Sequence, residues 1–121
     1  VRATKIGDDL VNAWKLSKND DKSVRLGVVL ALRRLQSPKL AEFLSDAEPT
    51  IVAEAARAVY DQGLDAAMPA LAKLADTTTA EPVAYRALAA NFRLGGAANA
   101  ARVAAFAARG EQPHLREAAL K

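Results

Sequence analysis

The stretches VRLGVVLALRRLQ (Val24 to Gln36), IVAEAARAVYDQG (Ile51 to Gly63) and VAYRALAANFRLG (Val83 to Gly95) lie on one another after shifts of 27 and 32 residues. The shifts align Val24, Ile51 and Val83, then Val28, Ala55 and Ala87, then Ala31, Ala58 and Ala90. They also place Tyr60 over Phe92 and Gly63 over Gly95. Apolar residues at i, i+4 and i+7 share one face of an α-helix. Their return at a period of about thirty residues is the pattern of stacked helical pairs, in which no unit can bury its apolar face alone. The expected architecture is an all-α, right-handed α-α superhelix of about four helical pairs.

Working outward from these three helices, the punctuation is consistent. A first helix is predicted from Thr4 to Leu16, with Ile6, Leu10, Ala13, Trp14 and Leu16 as its apolar positions. Asn19, Asp20 and Asp21 offer side-chain oxygens to cap the helix that follows, Lys22 to Leu35. That helix carries one stripe of Val24, Val28, Ala31, Leu32 and Leu35 and a second of Leu26, Val29 and Leu30, so it should be covered on two sides. Ser37-Pro38 opens a short helix, Lys39 to Leu44. Pro49 suits the first turn of a helix from Thr50 to Asp61, and Gly63 suits a left-handed C-cap. A helix from Asp65 to Ala75 tolerates Pro69 near its start. Helices from Pro82 to Leu94 and Ala98 to Ala108 follow, with Gly95-Gly96 between them. Pro113 then opens a segment to Lys121 that reads as another helix start. Its Leu115, Ala119 and Leu120 would leave an unfinished apolar face. With Val1 in place of an initiator Met, this predicts a single repeat domain, residues 1–121, cut from a longer multidomain protein.

Composition supports helix throughout. Of 29 alanines, 24 lie from Ala53 onward, and Ala is both the strongest helix former and small enough to let helices approach closely. No run of alternating β-branched residues argues for a sheet. The net charge is +3, with both signs interspersed. So small an excess is accounted for by solubility; the repeat architecture leads to the expectation of a protein partner, with nucleic-acid binding through the scattered arginines as the alternative reading. The absence of Cys excludes disulfide and thiolate chemistry. No apolar run has the length of a membrane span.

Asp21-Lys22-Ser23-Val24-Arg25, followed by Val28, Ala31 and Leu32, resembles the short HEAT-like (PBS-lyase-type) repeat pattern: an acidic turn, a Val-Arg pair and a small-apolar stripe. Pro113-His114-Leu115-Arg116 with Ala119 repeats it, whereas the second and third repeats have Val52 and Ala84 in place of the Arg. The run Arg33 to Asp46, ending in Ala41-Glu42-Phe43-Leu44-Ser45-Asp46, and the runs Glu54 to Asp61 and Arg86 to Gly95 are similar to the helical-repeat segment of large secreted proteins of planctomycetes and their relatives. There the repeats lie between a sugar-dehydrogenase-like propeller and a c-type haem domain. The resemblance implies a secreted or periplasmic spacer or interaction module. Haem attachment would lie outside this chain, which lacks the Cys that it needs.

Little here argues for chemistry. His114 is the only His, so a His-based metal site would have to borrow its ligands. Asp8-Asp9 and Asp20-Asp21 are the adjacent acid pairs, but neighbours on a helix diverge, so neither is a ready acid-base dyad. Asp8-Asp9 is expected in an exposed first turn. Gly95-Gly96 lacks the strand and the Lys of a phosphate loop. No catalytic residue, cofactor or metal is expected. The notable positions are structural: Val24, Val28, Ile51, Ala55, Val83 and Ala87 as repeat-equivalent core, with Arg25, Asp46 and Asn91. Arg25 falls in a first helical turn, where the macrodipole disfavours a cation, so it should find an acid in Asp46 or Glu48. Asn91 replaces Leu32 and Val59 on the inward stripe and should bond a loop carbonyl or a helix end. The aromatics are expected in core or edge packing.

Overall fold

A computed structural model describes residues 2–78 and 81–109. Among the described residues there are helices and no strands. Two layers alternate along the chain. One holds the long helices α2 (Lys22–Leu35), α3 (Pro49–Asp61) and α5 (Glu81–Leu94). The other holds α1 (Arg2–Ser17), the 3₁₀ helix η1 (Pro38–Ser45), α4 (Met68–Lys73) with a 3₁₀ turn at Leu74–Asp76, and α6 (Ala97–Arg109). Within the first layer α2 packs on α3 and α3 on α5; within the second α1 packs on η1, η1 on α4 and the 3₁₀ turn on α6. Each long helix also packs on the elements before and after it in the chain. The molecule is a helical-repeat solenoid.

Local chemistry sets the boundaries. Asp21 caps α2 by accepting from the Ser23 N–H at 2.7 Å, and Ser37 caps η1 by accepting from the Lys39 N–H at 3.2 Å. Pro49 opens α3 and Pro69 sits in the first turn of α4, where a missing N–H removes no helical bond. Gly63 and Gly95 both follow a long helix at φ +64° and +68°, the left-handed geometry that stops a helix and that a Cβ disfavours.

Four expectations change. Asp65 to Ala75 is not one helix: residues 65–67 form a turn and α4 begins only at Met68, because Pro69 fits the first turn and not the interior. The short helix after Ser37 is 3₁₀. At about 2.0 Å per residue against about 1.5 Å for an α-helix, eight residues reach further across the layer. Asp8 and Asp9 fall in the middle of α1, not its first turn, since that helix starts at Arg2; Asp9 pairs with Lys5 at 3.1 Å. The apolar stripe of α1 is also rotated. Ile6 and Leu16 are 49% and 82% exposed, whereas Gly7 and Val11 are buried and Leu10 and Trp14 partly so. Gly7 is required there: a Cβ would come within 2.5 Å of Ser37 Oγ and 2.9 Å of its Cβ. The segment Pro113 to Lys121 lies outside the described residues.

The core runs the length of the array. Ile51, Ala55, Val83 and Ala87 are at most 2% exposed and Val28 is 7% exposed, while Val24 is half-buried. In the second stripe of α2, Val29 is fully buried, Leu26 partly so and Leu30 open to solvent. The second side of that helix is thus only partly covered. Alanine at Ala55 and Ala87 keeps the two layers close. α1 joins this core through Val11 and through Trp14, whose ring lies 5.2 Å from that of Phe43.

Candidate functional site

The polar side chains between repeats are committed to stacking. Arg25 donates from Nε to Asp46 Oδ2 at 2.8 Å and from Nη2 to Oδ1 at 3.2 Å, and its Nη1 donates to the Asp20 carbonyl. Glu48, the other acid considered for Arg25, instead donates its backbone N–H to Asp46 Oδ1 at 2.8 Å. Asp46 therefore fixes the turn before α3 and ties it to the start of α2. Further along the long-helix layer, Arg33 reaches Glu54 at 3.5 Å and Arg86 reaches Asp61 at 3.6 Å. Gln62 donates to the Arg33 carbonyl at 2.8 Å, closing the end of α2 from α3.

A ladder of the Arg25–Asp46 kind would require Arg at position 52 to reach the next acidic turn, but Val52 stands there. The turn acid Asp76 takes Arg102 from α6 instead, at 3.1 Å. Arg102 also donates to Asn91 Oδ1 at 3.0 Å and to Asn99 Oδ1 at 3.1 Å. Asn91 is 1% exposed. Its Nδ2 donates to the Ala72 carbonyl near the end of α4 at 3.0 Å and to the Ala87 carbonyl at 2.8 Å. The amide thus has a partner on each atom and joins α4, α5 and α6. Arg109, with its guanidinium 4.6 Å from the Phe106 ring centroid, donates to the Asp76 and Thr78 carbonyls.

Arg25, Asp46 and Asn91 are brought into these inter-repeat networks, while Val24, Val28, Ile51, Ala55, Val83 and Ala87 line or flank the core. Sequence reasoning missed Gly7 and its close approach to Ser37, and also Gln62, Arg102 and Arg109. The latter three each have a partner 26 to 33 residues away, Arg33 for Gln62 and Asp76 for both arginines, and the apolar stripes do not mark such pairings. The Val52 departure was the one usable signal, since it leaves a turn acid without its expected cation.

The grooves given by the described residues are shallow and open. The grooves lined by Lys22, Leu26 and Ile51, by Trp14 and Lys18, by Tyr85 and Phe92, and by Asn99 and Val103 hold about 100 to 200 Å³ each. Small-molecule sites run to about 300–1,000 Å³. Among the described residues no group of three or more His, Asp or Glu side chains is placed to hold a metal. Among them too, no helix is long and apolar enough to cross a membrane. The carboxyl of Glu42 on η1 is held below its ordinary value chiefly by the hydrogen bond from Lys15 of α1 at 2.7 Å, which outweighs the opposing effect of burial, with a lesser contribution from Lys39 at 3.3 Å. It clasps α1 to η1.

Large apolar side chains are open to solvent on both layers: Ile6 and Leu16 on α1, and Leu30 and three residues of α5 on the long-helix layer. Tyr85, Phe92 and Leu94 of α5 are 59%, 53% and 40% exposed, a departure from the expectation that the aromatics pack in the core or at its edge.

Two layers of helices, repeated at about thirty residues and joined by polar pairs across each repeat boundary, define an α-helical repeat protein. Residues 10–92 match the family described as HEAT repeats, and the chain belongs to that family. HEAT repeats generally serve as protein-interaction scaffolds. No curated protein and no solved structure matches the chain.

Proposed function

We propose that this chain is a non-catalytic scaffold: a protein-interaction or spacer module of a larger, secreted or periplasmic bacterial protein of the dehydrogenase and haem-associated kind. The observation that carries the non-catalytic part is the use of the polar groups. The Arg25–Asp46 pair, the Asn91–Arg102–Asp76 network and the Arg33, Arg86 and Gln62 contacts are all spent on stacking one repeat against the next. Exposed surface and shallow grooves remain to be read by a partner, as is usual for a solenoid. The secreted setting rests on the resemblance carried by the residue runs from Arg33 to Asp46, Glu54 to Asp61 and Arg86 to Gly95.

The test is photo-crosslinking in the native host from benzoylphenylalanine placed at Arg57 on the long-helix layer and at Lys73 on the other, both exposed. A discrete, reproducible protein adduct from either position is expected. Adducts to nucleic acid alone, or none at either position, would count against the scaffold.

The net charge of +3 favours nucleic-acid binding as a second reading. Against it, Arg25, Arg33, Arg57, Arg86 and Arg102 each lie within 4 Å of a carboxylate, which lowers the field available to phosphates. Titration with a DNA duplex at about 50 and about 200 mM salt separates the two readings: a steep loss of affinity with salt supports nucleic acid, and no binding at the lower salt removes it.

A further inference from the structure

Three arginines converge on the C-terminal end of α3. Arg57 pairs with Asp61 on that helix at 3.8 Å, and Arg86 crosses from α5 to the same carboxylate at 3.6 Å. Arg93, further along α5, lays its guanidinium against Gly63, where an added Cβ would stand 2.9 Å from Nη2. Gly63, at φ +64°, thus ends α3 and also leaves room for a cation there.

These contacts differ from the pairs that lock the repeats together. Arg25 and Asp46 are mostly buried and meet at 2.8 and 3.2 Å. Arg57 and Asp61 are at least half exposed, and both pairs to Asp61 exceed hydrogen-bond length. The Nε of Arg86 is buried without an acceptor. One carboxylate serves two guanidiniums, and among the described residues none pairs with Arg93. A helix C-terminus carries about half a negative charge, so with Asp61 it offsets about one and a half of the three cations. The cluster keeps a positive excess at the surface.

We propose that Arg57, Arg86 and Arg93, gathered around Asp61, bind an acidic segment of a partner protein through its side-chain carboxylates. The planar guanidinium fork matches the two oxygens of a carboxylate. Glu54, Arg57 and Asp61 share one face of α3, at i, i+3 and i+7. A continuous phosphate chain laid along that face meets a carboxylate on either side of Arg57, whereas separate carboxylates can be seated beside them. This rests on the scaffold reading above and gives it a place and a partner chemistry.

The probe is a rhodamine-labelled hexaglutamate peptide, compared with hexaglutamine, in anisotropy titrations against the full chain at about 50 mM salt, where surface charges are weakly screened. Hexaglutamate should bind saturably and hexaglutamine should not. Arg57→Gln with Arg93→Gln should weaken binding about fivefold or more, with an unchanged helical circular dichroism spectrum because both side chains are exposed. Lys18→Gln with Lys73→Gln removes the same charge from exposed positions on the other layer and should change binding less than about twofold. Asp61→Asn, which removes the internal competitor, should tighten binding about two- to threefold.

Absence of saturable binding overturns the proposal. So does an equal loss from the lysine and arginine pairs, which would assign binding to net charge alone, or a loss on Asp61→Asn, which would make the cluster a purely structural one. A thymidine oligonucleotide of equal charge that binds more tightly through the same arginines would assign them to nucleic acid and overturn it as well. Should hexaglutamate fail while protein adducts persist from Arg57 or Lys73, only this cluster's role is lost and the scaffold reading stands.

Discussion

Arg25 and Asp46, 21 residues apart in the chain, meet through two side-chain hydrogen bonds of 2.8 and 3.2 Å with only 19% and 8% of their side chains exposed. The guanidinium stands in the first turn of α2, where the macrodipole is unfavourable to it, and the carboxylate in the turn before α3 supplies the compensation. One contact therefore holds a helix start and a repeat boundary together.

Removing the charge of Asp46 while keeping its shape should leave Arg25 poorly compensated. Asp46→Asn retains an oxygen to accept from the Glu48 N–H, so the loss isolates the ion pair. A destabilisation of about 1–3 kcal/mol is expected in urea unfolding. In a double-mutant cycle with Arg25→Met the second substitution should cost much less than it does alone. Additive effects would show that the two side chains do not depend on each other.

Asn91→Leu is favourable by hydrophobicity and should nonetheless destabilise. It leaves the Ala72 carbonyl without its side-chain donor and the Arg102 guanidinium without one of its acceptors. The expected cost is about 1–3 kcal/mol. Arg102→Met in the same chain should recover part of it, since a cation no longer lacks its acceptor. An Asn91→Leu variant as stable as wild type would mean that the amide contributes nothing to the stacking.

Two helical glycines should respond in opposite directions. At Gly27, exposed and with no atom within 4 Å of an added Cβ, alanine should stabilise by about 0.5–1 kcal/mol through helix propensity. At Gly7 the same change drives a methyl into Ser37, and the clash should outweigh the propensity gain, for a net loss of about 1 kcal/mol or more. Thermal melts of the two variants compare them directly. Equal stabilisation at both would place α1 further from Ser37 than it lies here.

Glu42 gives the docking of α1 an acid limb. Its carboxyl is held below the ordinary value of 4.5, first by the Lys15 hydrogen bond and to a lesser degree by Lys39. A carboxyl with a folded pKa below its unfolded one contributes fully above the unfolded value. That contribution is lost as pH falls below 4.5 and through the lower folded pKa. Both partners are substantially exposed, so the effect is small and screened by salt. Lys15→Met should flatten the fall in stability between about pH 5 and about pH 3; an unaltered acid limb would detach Glu42 from that dependence.

The sequence by itself determined the repeat: three aligned apolar stripes, caps at Asp21 and Ser37, prolines at helix starts and glycines past helix ends. These are local signals, set by helical periodicity and by backbone preferences that act within a few residues. It also located Arg25 and Asn91 as residues in need of partners, because a cation at a helix start and an amide on an inward stripe each break a local rule. Only the tertiary structure decided where those partners lie. Asp76 is taken by Arg102 because Val52 leaves it open, and α1 turns Gly7 instead of Ile6 inward because Ser37 leaves no room for a side chain there. Which aromatic side chains remain in solvent was likewise set by stacking: Tyr60 and Phe92 occupy one repeat position, and the neighbouring long helix covers the first and not the second.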